Sequence, residues 1–413
     1  MARTDALVLG AGIVGTSVAL HLAKRGLSVV LVDRQAPGRG TSYGNAGIIE
    51  GSTVFPQAFP DLAGLIRVAL KLAPEANYHL AFLPKVAPWL LAFRKWSSPE
   101  RLVDTAQTMR PLFARAIAEH ERLMAESGAD KYLRKTGWLK LYRERKSFAA
   151  GVRERELADR FGIAQRALDV AAALELEPSL RPAFEHAVFW PEVASISNPL
   201  AVTQAYARRF SALGGVAVNG DARKLHRADG RWRIETDAGH VDAANVVVAL
   251  GPWADDLLRA FGIALPFGLK RGYHRHFRPQ GNASLARPVL DADRGYVLAP
   301  MEQGIRLTTG AEFAARDAKP TPVQFSRVLP AATELFPLGE AVEPEPWLGA
   351  RPCFPDSRPV IGSAPGQPGM WLAVGHGHWG LTLGPATGRL IAEMMTGETP
   401  FTDPVPFGAG RFG

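Results

Sequence analysis

Apolar and polar positions alternate in different ways along the chain. Residues 6–9 form a short apolar run that ends directly in glycine. Residues 13–25 then carry Val14, Val18 and Leu22 at four-residue spacing, the stripe of a helix packed on one side. Gly26 closes that stretch, and a β-rich run over 27–32 is stopped by Asp33. The pattern predicts strand–turn–helix–strand over 5–33. Residues 51–130 differ: helical periodicity there is interrupted by Pro56, Pro60, Pro74, Pro84, Pro88 and Pro99, and the clearest helix is expected over 111–126. A strand over 137–142 and a helical, charged stretch over 144–183 follow, then a helix over 200–213. Short strands are expected at 216–218, 231–236, 245–250, 269–278, 295–299 and 304–309. A helix fits 322–335, and 346–395 reads as strands followed by a helix from near Gly384.

The first turn carries chemistry. Gly10-Ala11-Gly12-Ile13-Val14-Gly15 is G-x-G-x-x-G between a strand and a helix. Gly10 permits a tight turn, Gly12 lets a pyrophosphate approach the backbone, and Gly15 allows close helix–strand packing. The phosphates then meet the free amides and positive dipole end of the helix. Asp33 ends the second strand, where its carboxylate can accept from ribose hydroxyls and would repel a ribose 2′-phosphate.

The 413 residues are too many for one ordinary domain and imply two, and with no repeat, low-complexity tract or flexible linker the two are expected to interleave. The single cysteine, Cys353, excludes an intrachain disulfide, argues against a thiolate cluster, and fits a reducing compartment. No metal site is expected. The N-terminal residues make neither a signal peptide nor a spanning segment, so a cytoplasmic location is expected. The net charge of +8 reads as a solvated basic surface, with attraction to an anionic membrane or an acidic partner as the alternative. No basic run is interleaved with aromatics, which sets nucleic acid aside.

Three further segments narrow the reading. They are Thr41-Ser42-Tyr43-Gly44-Asn45-Ala46-Gly47-Ile48, then Val246-Val247-Val248-Ala249-Leu250-Gly251-Pro252-Trp253-Ala254, and a C-terminal pair, Gly349-Ala350-Arg351-Pro352 through Gly362 and Gly375-His376-Gly377-His378-Trp379-Gly380-Leu381-Thr382. With the N-terminal motif they resemble the D-amino-acid oxidase and glycine oxidase superfamily of flavoproteins, with the look of its D-amino-acid dehydrogenase small-subunit-like branch. The resemblance spans essentially the whole chain.

The resemblance implies an α/β FAD-binding, Rossmann-like domain of the glutathione-reductase type, over 1–55, 188–265 and 345–413. It implies an α+β substrate domain on an antiparallel sheet, over 56–187 and 266–344. FAD would be held noncovalently. Ile13 and Val14 would give phosphate-binding amides, Asp33 and Arg34 would flank the adenosine ribose, and Thr41 and Ser42 would touch the pyrophosphate. Asn45, Ala46, Gly47 and Ile48 would pass close to the flavin ring, and the backbone of Arg223 would meet the adenine. Gly251 would end a strand beside the cofactor. Gly375 and the run from Gly377 through His378, Gly380 and Leu381 to Thr382 would face the pyrimidine side of the flavin, where donors stabilise the anion formed on reduction.

The expected reaction is oxidative deamination of an amino acid, of D configuration, to a 2-oxo acid and ammonia by hydride transfer from Cα to flavin N5. Electrons would pass to a quinone, another carrier or O2. Arg351 would grip the substrate carboxylate, since a guanidinium binds it bidentately and keeps its charge when buried; an ion pair with Asp356 is the structural alternative. Tyr296 would support the same carboxylate, His378 would lie over the substrate, and Tyr273 and His274 would lie near the flavin. Cys353 sits too close to Asp356 to match the covalent-flavin cysteine of the sarcosine oxidase branch. The aromatic, basic stretch 78–96 is expected either to pack on the substrate domain or to touch a membrane surface. Oxidation of a secondary or cyclic amine, or service as a flavoprotein subunit of a larger dehydrogenase, remain open alternatives.

Overall fold

A computed structural model describes residues 2–51, 56 and 58–412. The first strand, Ala2–Leu9, pairs in parallel with Val29–Asp33 on one side and Gly239–Val248 on the other. Val216–Asn219 and Met370–Val374 extend this parallel row at its two ends. Ala6 to Leu9 are wholly buried, as expected of a run of apolar residues covered on both faces. Arg231–Thr236 and His226–Ala228 add antiparallel strands at one edge, and Val360–Ser363 pairs with Met370–Val374. Helices Ile13–Ala23 and Gly380–Thr396 cross one face. They approach so closely that a Cβ on Gly388 would lie 2.6 Å from the backbone of Ser17.

A second, mixed sheet has 11 strands. Its spine is Gly268–Pro279, which pairs antiparallel with Gly304–Thr308, Ala311–Phe313, Leu338–Ala341 and Trp347–Cys353. Tyr296–Met301, Val289–Asp291, Trp138–Tyr142, His186–Trp190 and Arg166–Leu168 continue it in that order. Leu139, Phe277, Leu298, Leu307 and Phe336 fill the core between this sheet and helix Val323–Leu335. A small sheet of Ile48–Ile49, Ala194–Ile196 and Leu133–Arg134 stands apart from both.

Several elements depart from the periodicity reading. Leu83–Trp96 is helical straight through Pro88, and Pro99–Ser127 runs through Pro111. Each proline removes one helical hydrogen bond, but Val86, Trp89 and Phe93, and likewise Met109, Leu112 and Phe113, are buried around it and hold the helix. The longer helix begins at Pro99 because Ser98 caps it, accepting from the Arg101 amide, and proline suits the first helical position. Arg166–Leu168, inside the stretch expected to be helical, is an edge strand on His186–Trp190. The last helix starts at Gly380 rather than near Gly384 and runs through Pro385 in its second turn. Among the described residues no helix is long and apolar enough to cross a membrane, and no three His, Cys, Asp or Glu are grouped as metal ligands.

Candidate functional site

A cleft of about 1110 Å³ is lined by residues of both large sheets. At one end lies the glycine turn. Gly10 takes φ +104°, a conformation closed to most side chains, and a Cβ there would meet the Ala249 carbonyl at 2.4 Å. Gly15 sits behind the wall, where a Cβ would fall 1.8 Å from the Gly10 carbonyl, so the helix seats directly on the strand. Gly12 caps that helix with no side chain, and the Ile13 amide donates to Ser42 Oγ at 2.9 Å. The two Asp33 oxygens accept from the Ala11 amide at 2.7 Å and the Gln35 amide at 2.9 Å, each with a lone pair to spare. Arg34 lies over the Trp253 ring at 5.5 Å. Both the amide and the guanidinium of Arg223 are engaged by Asp221, which leaves its carbonyl.

Farther along, Thr41 Oγ1 donates to the Ala350 carbonyl at 3.0 Å. Asn45 ties two loops together: its Oδ1 accepts from the Gly47 amide at 2.8 Å, and its Nδ2 donates to the His378 carbonyl at 3.3 Å. Ala46 and Ile48 face the cleft, while Gly47 lies behind them against Ile196. Gly251, Gly375 and Gly377 line the opposite wall. Thr382 Oγ1 donates to the Ile48 carbonyl at 3.1 Å. The helix that starts at Gly380 also opens onto the cleft with no capping side chain, so Gly380, Leu381 and Thr382 present uncapped first-turn amides. Two helix N-termini line this one cleft, the first with its Ile13 amide taken by Ser42 and the second with no capping side chain, and they fit a dinucleotide that carries a pyrophosphate at one and an electron-rich ring edge at the other. These residues therefore suit FAD.

The remaining wall holds Arg351, Lys270, Cys353, Trp347 and His378. Arg351 makes no ion pair among the described residues; its guanidinium donates to the carbonyls of Gly310 at 3.0 Å and Thr309 at 3.3 Å. Asp356 is taken instead by Arg358 at 3.1 Å and Arg411 at 2.7 Å. Burial lowers the pKa of both Arg351 and Lys270, and raises that of the Cys353 thiol. His378 is exposed to the open cleft, and the protein around it holds the imidazole below its ordinary value, with Arg351 and Lys270 adding repulsion. Tyr273 and Tyr296 reach the cleft, but their hydroxyls are engaged, Tyr273 with Glu312 at 3.1 Å and Tyr296 with the Ala331 carbonyl at 3.1 Å. His274 does not reach it: the ring packs between Trp347 and Tyr43, with centroids at 4.9 and 5.4 Å.

Lys270 and Glu50, both on the cleft wall, escaped the sequence reading. Lys270 lies two residues before the Gly272-Tyr273 pair that drew notice, and only the strand pairing puts it beside Arg351. Glu50 follows Ile48-Ile49 and lines the cleft near Trp379 and the half-buried Lys140–Glu154 ion pair. Burial, aided by the Glu154 charge, raises its carboxyl pKa to about 8, against the opposing pull of Trp379 and Lys140. An acid directly after an apolar strand was the available sign.

Residues 5–394 match the family model described as FAD dependent oxidoreductase. The chain is 29% identical over 416 residues to a D-amino-acid oxidase of Bradyrhizobium diazoefficiens, with 98% of each chain covered. It is 31% identical to a D-amino acid dehydrogenase of Rhizobium johnstonii, covering 98% of this chain and 99% of that one. Its fold superposes on the crystal structure of glycine oxidase from Geobacillus kaustophilus with a TM-score of 0.77 over 99% of both chains, at 24% identity. The match across nearly the whole chain agrees with the cofactor geometry: this protein belongs to the FAD-dependent oxidoreductase family, and FAD is its cofactor.

Proposed function

We propose that the chain oxidatively deaminates a D-amino acid to the 2-oxo acid and ammonia and passes the electrons to a quinone-type acceptor. The observation that carries this reading is Arg351, a half-buried arginine on the cleft wall whose bonds in the protein go to neutral carbonyls. A substrate carboxylate would complete its fork with two charge-assisted bonds. The names of the relatives, D-amino-acid oxidase and D-amino acid dehydrogenase, support the choice of handedness.

When bound, FAD supplies a hydride acceptor at N5 for the substrate Cα. The rest is orientation and electrostatics from the chain. Arg351, with Lys270 beside it, fixes the carboxylate and so the direction of the Cα–H bond. His378 stays neutral at working pH and offers a nitrogen to the substrate amine. Tyr273 and Tyr296 form the floor, their hydroxyls tied down, and His274 holds Trp347 in place from behind. For the cofactor, Ile13, Val14, Thr41 and Ser42 take the phosphates, Asp33 and Arg34 the ribose, and the Arg223 backbone the adenine. Asn45 to Ile48, Gly251 and Gly375 to Thr382 surround the flavin. We assign FAD binding to 1–55, 188–265 and 345–413, and the substrate side to 56–187 and 266–344.

Anaerobic bleaching of the flavin across D- and L-amino acids, with and without a quinone-like dye, tests the reading. Bleaching by D-amino acids with rapid reoxidation by the dye is expected. Bleaching by sarcosine or proline derivatives alone, or by no amine at all, would sink it.

A further inference from the structure

The helix Leu62–Ala69 is properly built: Asp61 caps it, accepting from the Gly64 amide at 2.8 Å. Its inner residues Gly64, Leu65 and Val68 line the cleft. Its outer face is apolar and uncovered. Leu62 is 73% exposed, Ile66 52% and Leu70 63%, at four-residue spacing on one side of the helix, and Leu72 is 65% exposed just beyond it. Tyr78 Oη donates to the Ala69 carbonyl at 2.8 Å, which ties the segment after the helix back to its end, and two residues further on Leu80 is 69% exposed. Apolar side chains grouped in this way on a surface mark a contact with something else.

The charges say what that is. From Asp61 to Ser98 the chain carries Arg67, Lys71, Lys85, Arg94 and Lys95 against two acids, the capping Asp61 and Glu75. All five basic residues are exposed, and among the described residues none is ion-paired. A second copy of the chain would set two such basic surfaces face to face. An anionic surface would neutralise them while the leucines leave water, which is how an amphipathic segment lies in a bilayer interface. Within 78–96, Trp89 and Phe93 are buried against Cys353, while Tyr78, Phe82 and Trp96 are half-buried.

We propose that the ridge Leu62, Ile66, Leu70, Leu72 and Leu80, with its basic rim, is a membrane-docking surface that takes the anionic headgroup layer of a bilayer. Docking there seats the helix that walls the cleft directly on the lipid. The proposal stands independently of which substrate the cleft accepts.

The test is sedimentation of the FAD-loaded protein with phosphatidylcholine vesicles, with and without phosphatidylglycerol, at low and high salt. A triple variant, Leu62→Ser, Ile66→Ser and Leu70→Ser, is run alongside, with flavin content and thermal midpoint as fold checks. The wild type should sediment with the anionic vesicles, lose at least about tenfold in partitioning at high salt, and lose a similar factor in the triple variant, which keeps its flavin. Retention of the wild type in the supernatant with both vesicles would overturn the proposal. Equal sedimentation of variant and wild type, or a self-association of the wild type abolished by the triple change, would do so as well. If the triple variant loses flavin, Lys71→Gln with Lys85→Gln serves in its place, and unchanged binding by that pair counts against the proposal.

Discussion

Lys270 stands directly opposite Arg351 in the antiparallel ladder between Gly268–Pro279 and Trp347–Cys353. Like charges facing one another across a ladder are unfavourable, and burial disfavours both charged forms here. Lys270 also lies over the Trp89 and Phe93 rings, and under the proposed role a substrate carboxylate would add an anion beside both cations. Arg351→Ala should therefore lower kcat/KM for an amino acid at least about 100-fold, roughly 3 kcal/mol of a buried charge-assisted contact. FAD content should stay near wild type. Arg351→Lys keeps the charge but loses the planar fork, so kcat should suffer along with KM. An amine substrate without a carboxylate should lose far less. Equal losses for both substrates in steady-state assays would make Arg351 structural.

Gly272 offers a gentler probe of the same group. A Cβ on Gly272 would lie 2.4 Å from Arg351 Nη2. The guanidinium is the end of a flexible side chain and can swing aside, so Gly272→Ala should leave the thermal midpoint almost unchanged. The displaced fork should raise KM for an amino acid by about tenfold, the loss of one tenfold step being about 1.4 kcal/mol. Unchanged KM in the Ala variant would place the carboxylate elsewhere.

Asp33 holds the glycine turn through the Ala11 and Gln35 amides while its remaining lone pairs face the cleft. Asp33→Ala should weaken FAD binding by about 1–3 kcal/mol, the cost of an unmade bond to a charged acceptor. Titration of the apoprotein with FAD measures it; unaltered affinity would take the ribose from Asp33.

The glycine turn and Asp33 were legible because every residue involved lies within one strand–turn–helix–strand unit, where spacing alone fixes geometry. The Lys270–Arg351 pair was not, since the two lie far apart in sequence and only the register of the ladder joins them. Tyr273 and His274 show a rule that was available: neighbours on a strand point to opposite faces, and the first reaches the cleft while the second packs on Trp347. Pro88 misled because its local penalty is outweighed by the burial of Val86, Trp89 and Phe93 around it.

Cys353 bears on how the cofactor is held. Its sulfur lies near the loop proposed to face the flavin, where a Cβ on Gly377 would stand 3.6 Å away. Burial raises the thiol pKa, so the nucleophilic thiolate is disfavoured. Acid precipitation should release all the FAD into the supernatant, and Cys353→Ala should retain it before precipitation. Yellow colour left on the denatured wild-type chain would show a covalent link.

Glu50 gives the cleft a titration of its own. Unfolded, its carboxyl ionises in the ordinary range; folded, burial and the neighbouring Glu154 charge hold the proton up to about 8, with Trp379 and Lys140 opposing. The folded state thus binds an extra proton between those values. Its contribution to stability is complete below the ordinary carboxylate range and is lost as pH rises through about 8. Glu50→Gln copies the protonated form without the titration. Thermal midpoints of the two proteins, measured from about pH 5 to pH 9, should therefore diverge, with the wild type falling behind the variant as the pH climbs. The Lys140–Glu154 pair is common to both and cancels in the difference. Parallel curves across the whole range would mean that Glu50 is already ionised in the folded protein, and that this corner of the cleft holds a carboxylate rather than a carboxylic acid.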